Sequence, residues 1–147
     1  MAFVIDNSVL CAWFIASQAT PYADAIAQRL ETERALAPPL LQLEYTNVLR
    51  TACKRGRLLA QQARAVVDQI QALPIEFDLQ PPAPSTVLSL ALRFDLTTYD
   101  AAYLELALRE QLSIATQDEA LAEAAWAAGV GVVKIQEQEI RPNELRP

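Results

Sequence analysis

Four acids in this chain fall where a carboxylate has chemistry within reach: Asp6, Glu44, Asp100 and Asp118. Asp6 directly follows the apolar run FVI at 3–5 and precedes a helical stretch. Asp118 repeats that arrangement after SIAT at 113–116. Taken singly, each suits the ordinary role of an N-cap, accepting a free backbone N–H. In a parallel α/β sheet, however, strand-to-helix turns lie along one carboxyl edge, where ligands bind. Asp100 sits in LTTYDAAYLELALRE at 96–110, where Thr97 and Asp100 fit a capping box and an acid suits the helix dipole. Its direction argues for more. At about 100° per residue, Tyr99, Tyr103, Leu104, Leu106, Ala107 and Leu108 cover one arc with Asp100 near its centre. Glu105 and Arg109 take the opposite face as an i,i+4 pair. Glu44 lies mid-helix, beyond any cap, at the edge of the stripe formed by Leu40, Leu41, Val48 and Ala52. A carboxylate there needs either a salt bridge to a neighbouring base or a metal ion.

Together the four form a constellation with a physical problem. Two unit charges about 4 Å apart repel by about 4 kcal/mol at an effective dielectric near 20. Hard divalent ions remove that repulsion, because Mg²⁺ and Mn²⁺ take oxygen ligands. Such a site suits phosphodiester hydrolysis. The chain contains no histidine, which excludes imidazole bases, histidine-dependent triads and imidazole zinc sites. Its three glycines form no phosphate-cradling loop. Catalysis here is left to acids.

The net charge of −6 at first argues against nucleic acid. Setting the four acids aside from the 18 leaves 14 against 12 bases, a balance of −2. Arg50, Lys54 and Arg57, with Arg55, then offer phosphates an approach along the helix that carries Glu44. The same row reads equally well as a solvated face, and it is too small for strong nonspecific binding.

The elements that must position these groups alternate along the chain. Strand-like runs at 3–5, 35–37, 74–79, 113–116 and 130–135 are separated by helical patterns. That alternation predicts an α/β fold, a three-layer α/β/α sandwich around a mostly parallel sheet. QPPAPS at 80–85 breaks the chain at its middle, but each half is small for a core of its own. One domain over 1–147 is expected, with 136–147 as a polar tail. The first apolar stretch is interrupted by Asp6 and Asn7, and no base precedes it, so it does not read as a leader. Nothing approaches the roughly 20 apolar residues of a membrane span. Cys11 and Cys53 read as reduced core residues of a cytoplasmic protein. The helix at 8–16 is apolar nearly all round, which calls for cover on two sides, from this domain or from a partner.

The chain resembles the PIN-domain nucleases, and within them the VapC-type toxins of prokaryotic toxin–antitoxin pairs. VIDNSV at 4–9, PPLLQLEYTNVL at 38–49, KRGRL at 54–58, LTTYDAAYLELA at 96–107 and ATQDEALAEAA at 115–125 carry the likeness. The resemblance implies that Asp6, Glu44, Asp100 and Asp118 are the catalytic, metal-holding acids, with Ser8 and Thr116 in support. It further implies a Mg²⁺- or Mn²⁺-dependent endoribonuclease acting on RNA, a cognate antitoxin and a homodimer. Asp95 departs from the pattern, since a small residue such as glycine is common there. Two other readings compete: a non-catalytic binding module that retains a structural cation, and a phosphoryl-accepting regulatory domain. The latter wants paired acids after the first strand, whereas Asn7 follows Asp6, and a lysine near a late strand end, where Lys134 lies within its run.

Overall fold

The structure is a computed structural model and describes residues 1–134. The tail expected at 136–147 and Ile135 lie outside the described residues. Four strands, β1 (Ala2–Ile5), β2 (Arg34–Ala37), β3 (Ile75–Phe77) and β4 (Ile114–Ala115), form a parallel sheet in the order β3-β2-β1-β4. The fifth expected strand is reduced to a single parallel bridge between Ile114 and Val132. The segment 80–85 falls between β3 and the following helix, and the sheet draws strands from both sides of it.

Seven helices cover the sheet: α1 (Asn7–Phe14), α2 (Pro21–Arg29), α3 (Leu40–Lys54), α4 (Ala60–Gln71), α5 (Pro84–Phe94), α6 (Thr98–Glu110) and α7 (Glu119–Ala128). Helices α1 to α4 pack among themselves, as do α5 to α7, and α6 lies against β1 and β4. The result is the expected sandwich. Val4 and Ile5 of β1 are fully buried, as a strand covered on both faces requires. From α3, Leu41, Tyr45 and Leu49 enter the core at i,i+4,i+8 spacing. The apolar helix α1 finds its cover inside the domain. It packs between α2 and α3, and Trp13 Nε1 donates to the Ala23 carbonyl at 2.6 Å. Both cysteines are free, Cys11 buried and Cys53 half-buried. Among the described residues, no helix is long and apolar enough to cross a membrane.

Helix α5 ends on Asp95 in the left-handed region, at φ 54°. That backbone explains why glycine suits the position, and aspartate is one of the few other residues that tolerates it. Lys134 places its ammonium 5.4 Å from the Trp126 ring centre, so it is engaged away from the acids and does not serve the phosphoryl-acceptor reading.

The Glu105–Arg109 pair forms as expected, with Nε to Oε1 at 2.9 Å. Arg109 also donates to Asp78 at 2.5 Å, tying the segment after β3 to α6. This hydrogen bond holds the Asp78 carboxyl below its ordinary value of 3.8. The stabilisation is therefore complete above that value and is lost as pH falls through the lower folded one. Arg109→Met is expected to cost about 1–2 kcal/mol at pH 7. In urea unfolding, its difference from the natural protein should narrow below about pH 4.

Candidate active site

Strand order decides where the acids meet. The chain runs outward from β1 through β2 to β3, then returns to place β4 on the other side of β1. A crevice opens outside the carboxyl ends of β1 and β4, the position where open α/β sheets bind ligands. Asp6 follows β1 directly, and Thr116, Gln117 and Asp118 follow β4.

Asp6 is 5% exposed and is the N-cap of α1. Its Oδ1 accepts from the Ser8 hydroxyl at 2.6 Å, the Ser8 N–H at 3.1 Å and the Val9 N–H at 3.3 Å. Thr116 donates its hydroxyl to Oδ2. Burial nevertheless pushes the carboxyl up to about 6, those donors opposing the rise and the Asp118 charge adding to it. Ser8 and Thr116 also join the two turns. Ser8 Oγ accepts from the Gln117 N–H at 2.8 Å, and Thr116 Oγ1 accepts from the Asp118 N–H at 3.0 Å. Asp118 is exposed and caps α7 through the Leu121 N–H at 2.9 Å.

Asp100 is half-buried in the first turn of α6, where Thr97 Oγ1 accepts its N–H at 3.1 Å. Burial raises its carboxyl, and the nearby Asp118 charge raises it further. Its neighbour Tyr99 departs from the inward arc expected of it and is 62% exposed. The reason is position: the ring lies in the first turn, where the helix projects past the core.

Glu44 reaches no base. Among the described residues it forms no ion pair, and instead Tyr103, buried on α6, donates its hydroxyl to Glu44 Oε1. Burial raises the Glu44 carboxyl, the Tyr103 hydrogen bond lowers it, and the Asp100 charge raises it. Tyr103 was read only as a core residue. A phenol on a buried arc needs a partner for its hydroxyl, and that was the available signal.

Charge coupling thus links Asp6 to Asp118, Asp118 to Asp100 and Asp100 to Glu44. Arg50, Lys54, Arg55 and Arg57 are all exposed, but the row divides. Arg50 borders Glu44, whereas Arg55 and Arg57 line a separate groove with Phe14 and Ile15.

A PIN domain signature matches residues 3–127. The chain belongs to the PIN domain family. Ribonuclease VapC1 of Mycobacterium tuberculosis, in strains CDC 1551 and H37Rv, is 35% identical to it over 106 residues. That match covers 69% of this chain and 77% of the relative. The crystal structure of PAE2754 from Pyrobaculum aerophilum is similar with a TM-score of 0.64 and 25% identity, over 84% of each chain. Membership of the PIN family supports a nuclease-type function.

Among the described residues of this PIN domain, no group of three or more Asp, Glu or Cys side chains is arranged to hold a metal ion. The donor set still fits a hard, hydrated cation. Mg²⁺ keeps several waters and needs only one or two carboxylates, and the acids here offer oxygen alone. Crowding also gives a cation something to relieve, since Asp6, Glu44 and Asp100 all hold their protons too firmly. For an acid raised in the folded state, stability is lost as pH rises from the ordinary value to the folded one. For Asp6 that loss runs from near 3.8 to about 6.

Asp100→Asn is accordingly expected to raise the melting temperature at pH 7 in EDTA, with added Mg²⁺ narrowing the gap, as read by thermal scanning. Tyr103→Phe leaves Glu44 without its donor and should cost about 1 kcal/mol in urea unfolding.

Proposed function

We propose that this PIN domain is a metal-dependent endoribonuclease acting as the toxin of a toxin–antitoxin pair. The observation that carries the reading is the convergence of four electrostatically linked acids on the crevice between β1 and β4, in a chain of the PIN family. Asp6, Asp100, Asp118 and Glu44 would hold Mg²⁺ or Mn²⁺. When bound, such an ion supplies an activated water at neutral pH and a counter-charge for the leaving oxygen. Ser8 and Thr116 fix the Asp6 carboxylate in one orientation by donating to both of its oxygens. Tyr103 does the same for Glu44. Arg50, beside Glu44, meets the RNA phosphate, and Lys54, Arg55 and Arg57 extend the approach. Preorganised groups of this kind lower the reorganisation required when charge develops on the phosphate.

The likeness to VapC1 supports the toxin role and an antitoxin partner. For the homodimer, α5 leaves Leu88 and Leu92 54% and 76% exposed one turn apart, an apolar strip that a second copy would cover.

Purified protein is expected to cut RNA with Mg²⁺ or Mn²⁺, to stop in EDTA, and to lose about 100-fold or more in a folded Asp100→Asn variant. Cutting that persists in EDTA or in the variant would reject the metal mechanism. Stabilisation by Mg²⁺ without cleavage of any RNA would instead identify a binding module with a structural cation. Expression alone should arrest growth, and co-expression of the antitoxin should relieve it; harmless accumulation of intact protein would reject the toxin role.

A further inference from the structure

Beside the acids lies an open groove of about 640 Å³ between the start of α6 and the outer face of α3. Its walls are Tyr99, Leu40 and Leu43 at one side and Glu44, Asn47 and Arg50 along the other. Two large apolar side chains stand uncovered there, Tyr99 at 62% and Leu43 at 71% exposure. Neither serves the core. Tyr99 is also the residue directly before Asp100, so its ring is carried at the mouth of the crevice. Along α3, Leu43, Asn47 and Arg50 follow at i,i+4,i+7 and so share one face. At 1.5 Å per residue, that stripe carries the groove about 10 Å, from an apolar end to a cationic one. Arg50 makes no ion pair among the described residues, although Glu44 is close. Thr46 contributes no free hydroxyl donor, because its Oγ1 donates to the Gln42 carbonyl at 2.6 Å.

We propose that this groove seats one unpaired nucleotide next to the scissile phosphate, its base stacked on Tyr99 and its phosphate on Arg50. The inference rests on the ribonuclease reading and adds a substrate class to it: single-stranded RNA or an unpaired loop. An aromatic face and an apolar wall suit any base, because every base has a π-face, so the platform selects unpaired over paired RNA without naming a base. In an A-form duplex the bases are stacked within the helix and cannot lie against Tyr99. Arg50 supplies the charge complement that an apolar groove beside four acids would otherwise lack for a phosphate.

The test measures binding of a mixed-sequence single-stranded RNA oligonucleotide and of the matched duplex, in an Asp100→Asn background that prevents cutting. Tyr99→Ala should weaken single-strand binding roughly tenfold and leave duplex binding unchanged. Tyr99→Phe, which keeps the ring, should bind as the parent does. Arg50→Ala should weaken both RNAs and reduce the salt slope by about one phosphate. Because Tyr99 is exposed, the variants should keep the parent melting temperature, which is measured alongside. RNA cleavage by the natural protein combined with undiminished single-strand binding by Tyr99→Ala overturns the platform alone, as would be seen if the groove seats a protein segment. Equal losses in Tyr99→Phe and Tyr99→Ala also overturn it, since stacking needs no hydroxyl. A natural protein that neither binds nor cuts RNA overturns both the platform and the ribonuclease reading.

Discussion

The structure depends on a carboxylate buried at the end of its central strand. Asp6 caps α1, touches the turn after β4 through Thr116, and sits where a charge is disfavoured. Isolated burial of an ionised acid is prohibitively costly, and only a dense set of donors makes it tolerable. Those donors come from two sources. The Ser8 and Val9 groups belong to the first turn of α1, whereas Thr116 arrives from 110 residues away. Accommodating Asp6 therefore requires β4 to lie beside β1, and the same requirement opens the crevice.

That arrangement also explains why the site resists collapse. Ser8 Oγ is at once a donor to Asp6 and an acceptor from Gln117, while Thr116 links Asp6 to the Asp118 backbone. Gln117 closes the lattice by donating to the Ser8 carbonyl at 3.2 Å and accepting from Thr20 at 2.5 Å. Two loops are thus held in register by side chains that carry no net charge. The charge is left to the acids, whose mutual repulsion is an electrostatic strain held by packing. Stability and function pull in opposite directions here, as expected where titratable groups are gathered for chemistry.

Much of this was legible in the sequence for a definite reason. The alternation of short apolar runs with helical periods marks the sandwich, and an acid immediately after a strand marks the sheet edge in both Asp6 and Asp118. The i,i+4 pairing of Glu105 with Arg109 follows from helical geometry alone. What escaped depends on contacts between elements distant in sequence. Periodicity places Tyr99 on the inward arc, but only the position of the helix end relative to the core leaves it in solvent. The apolar girth of α1 could not distinguish cover by α2 and α3 from cover by a partner. Glu44 needed a partner, yet the choice of the Tyr103 phenol over a neighbouring base is set by the meeting of α3 and α6 across the crevice.

The division of α3 resolves the apparent conflict between an acidic chain and a polyanionic substrate. One helix holds Glu44 toward the crevice and Arg50 toward solvent, six residues and about 9 Å of rise apart. At that spacing the two charges serve different partners, an ion on one side and a phosphate on the other. Net charge averages over such a helix and conceals it. Steering of a charged substrate depends on the field at the mouth of the site, where low-dielectric walls focus it, and not on the sum over the molecule. A chain at −6 is therefore compatible with RNA once its excess acids are placed where a cation would neutralise them.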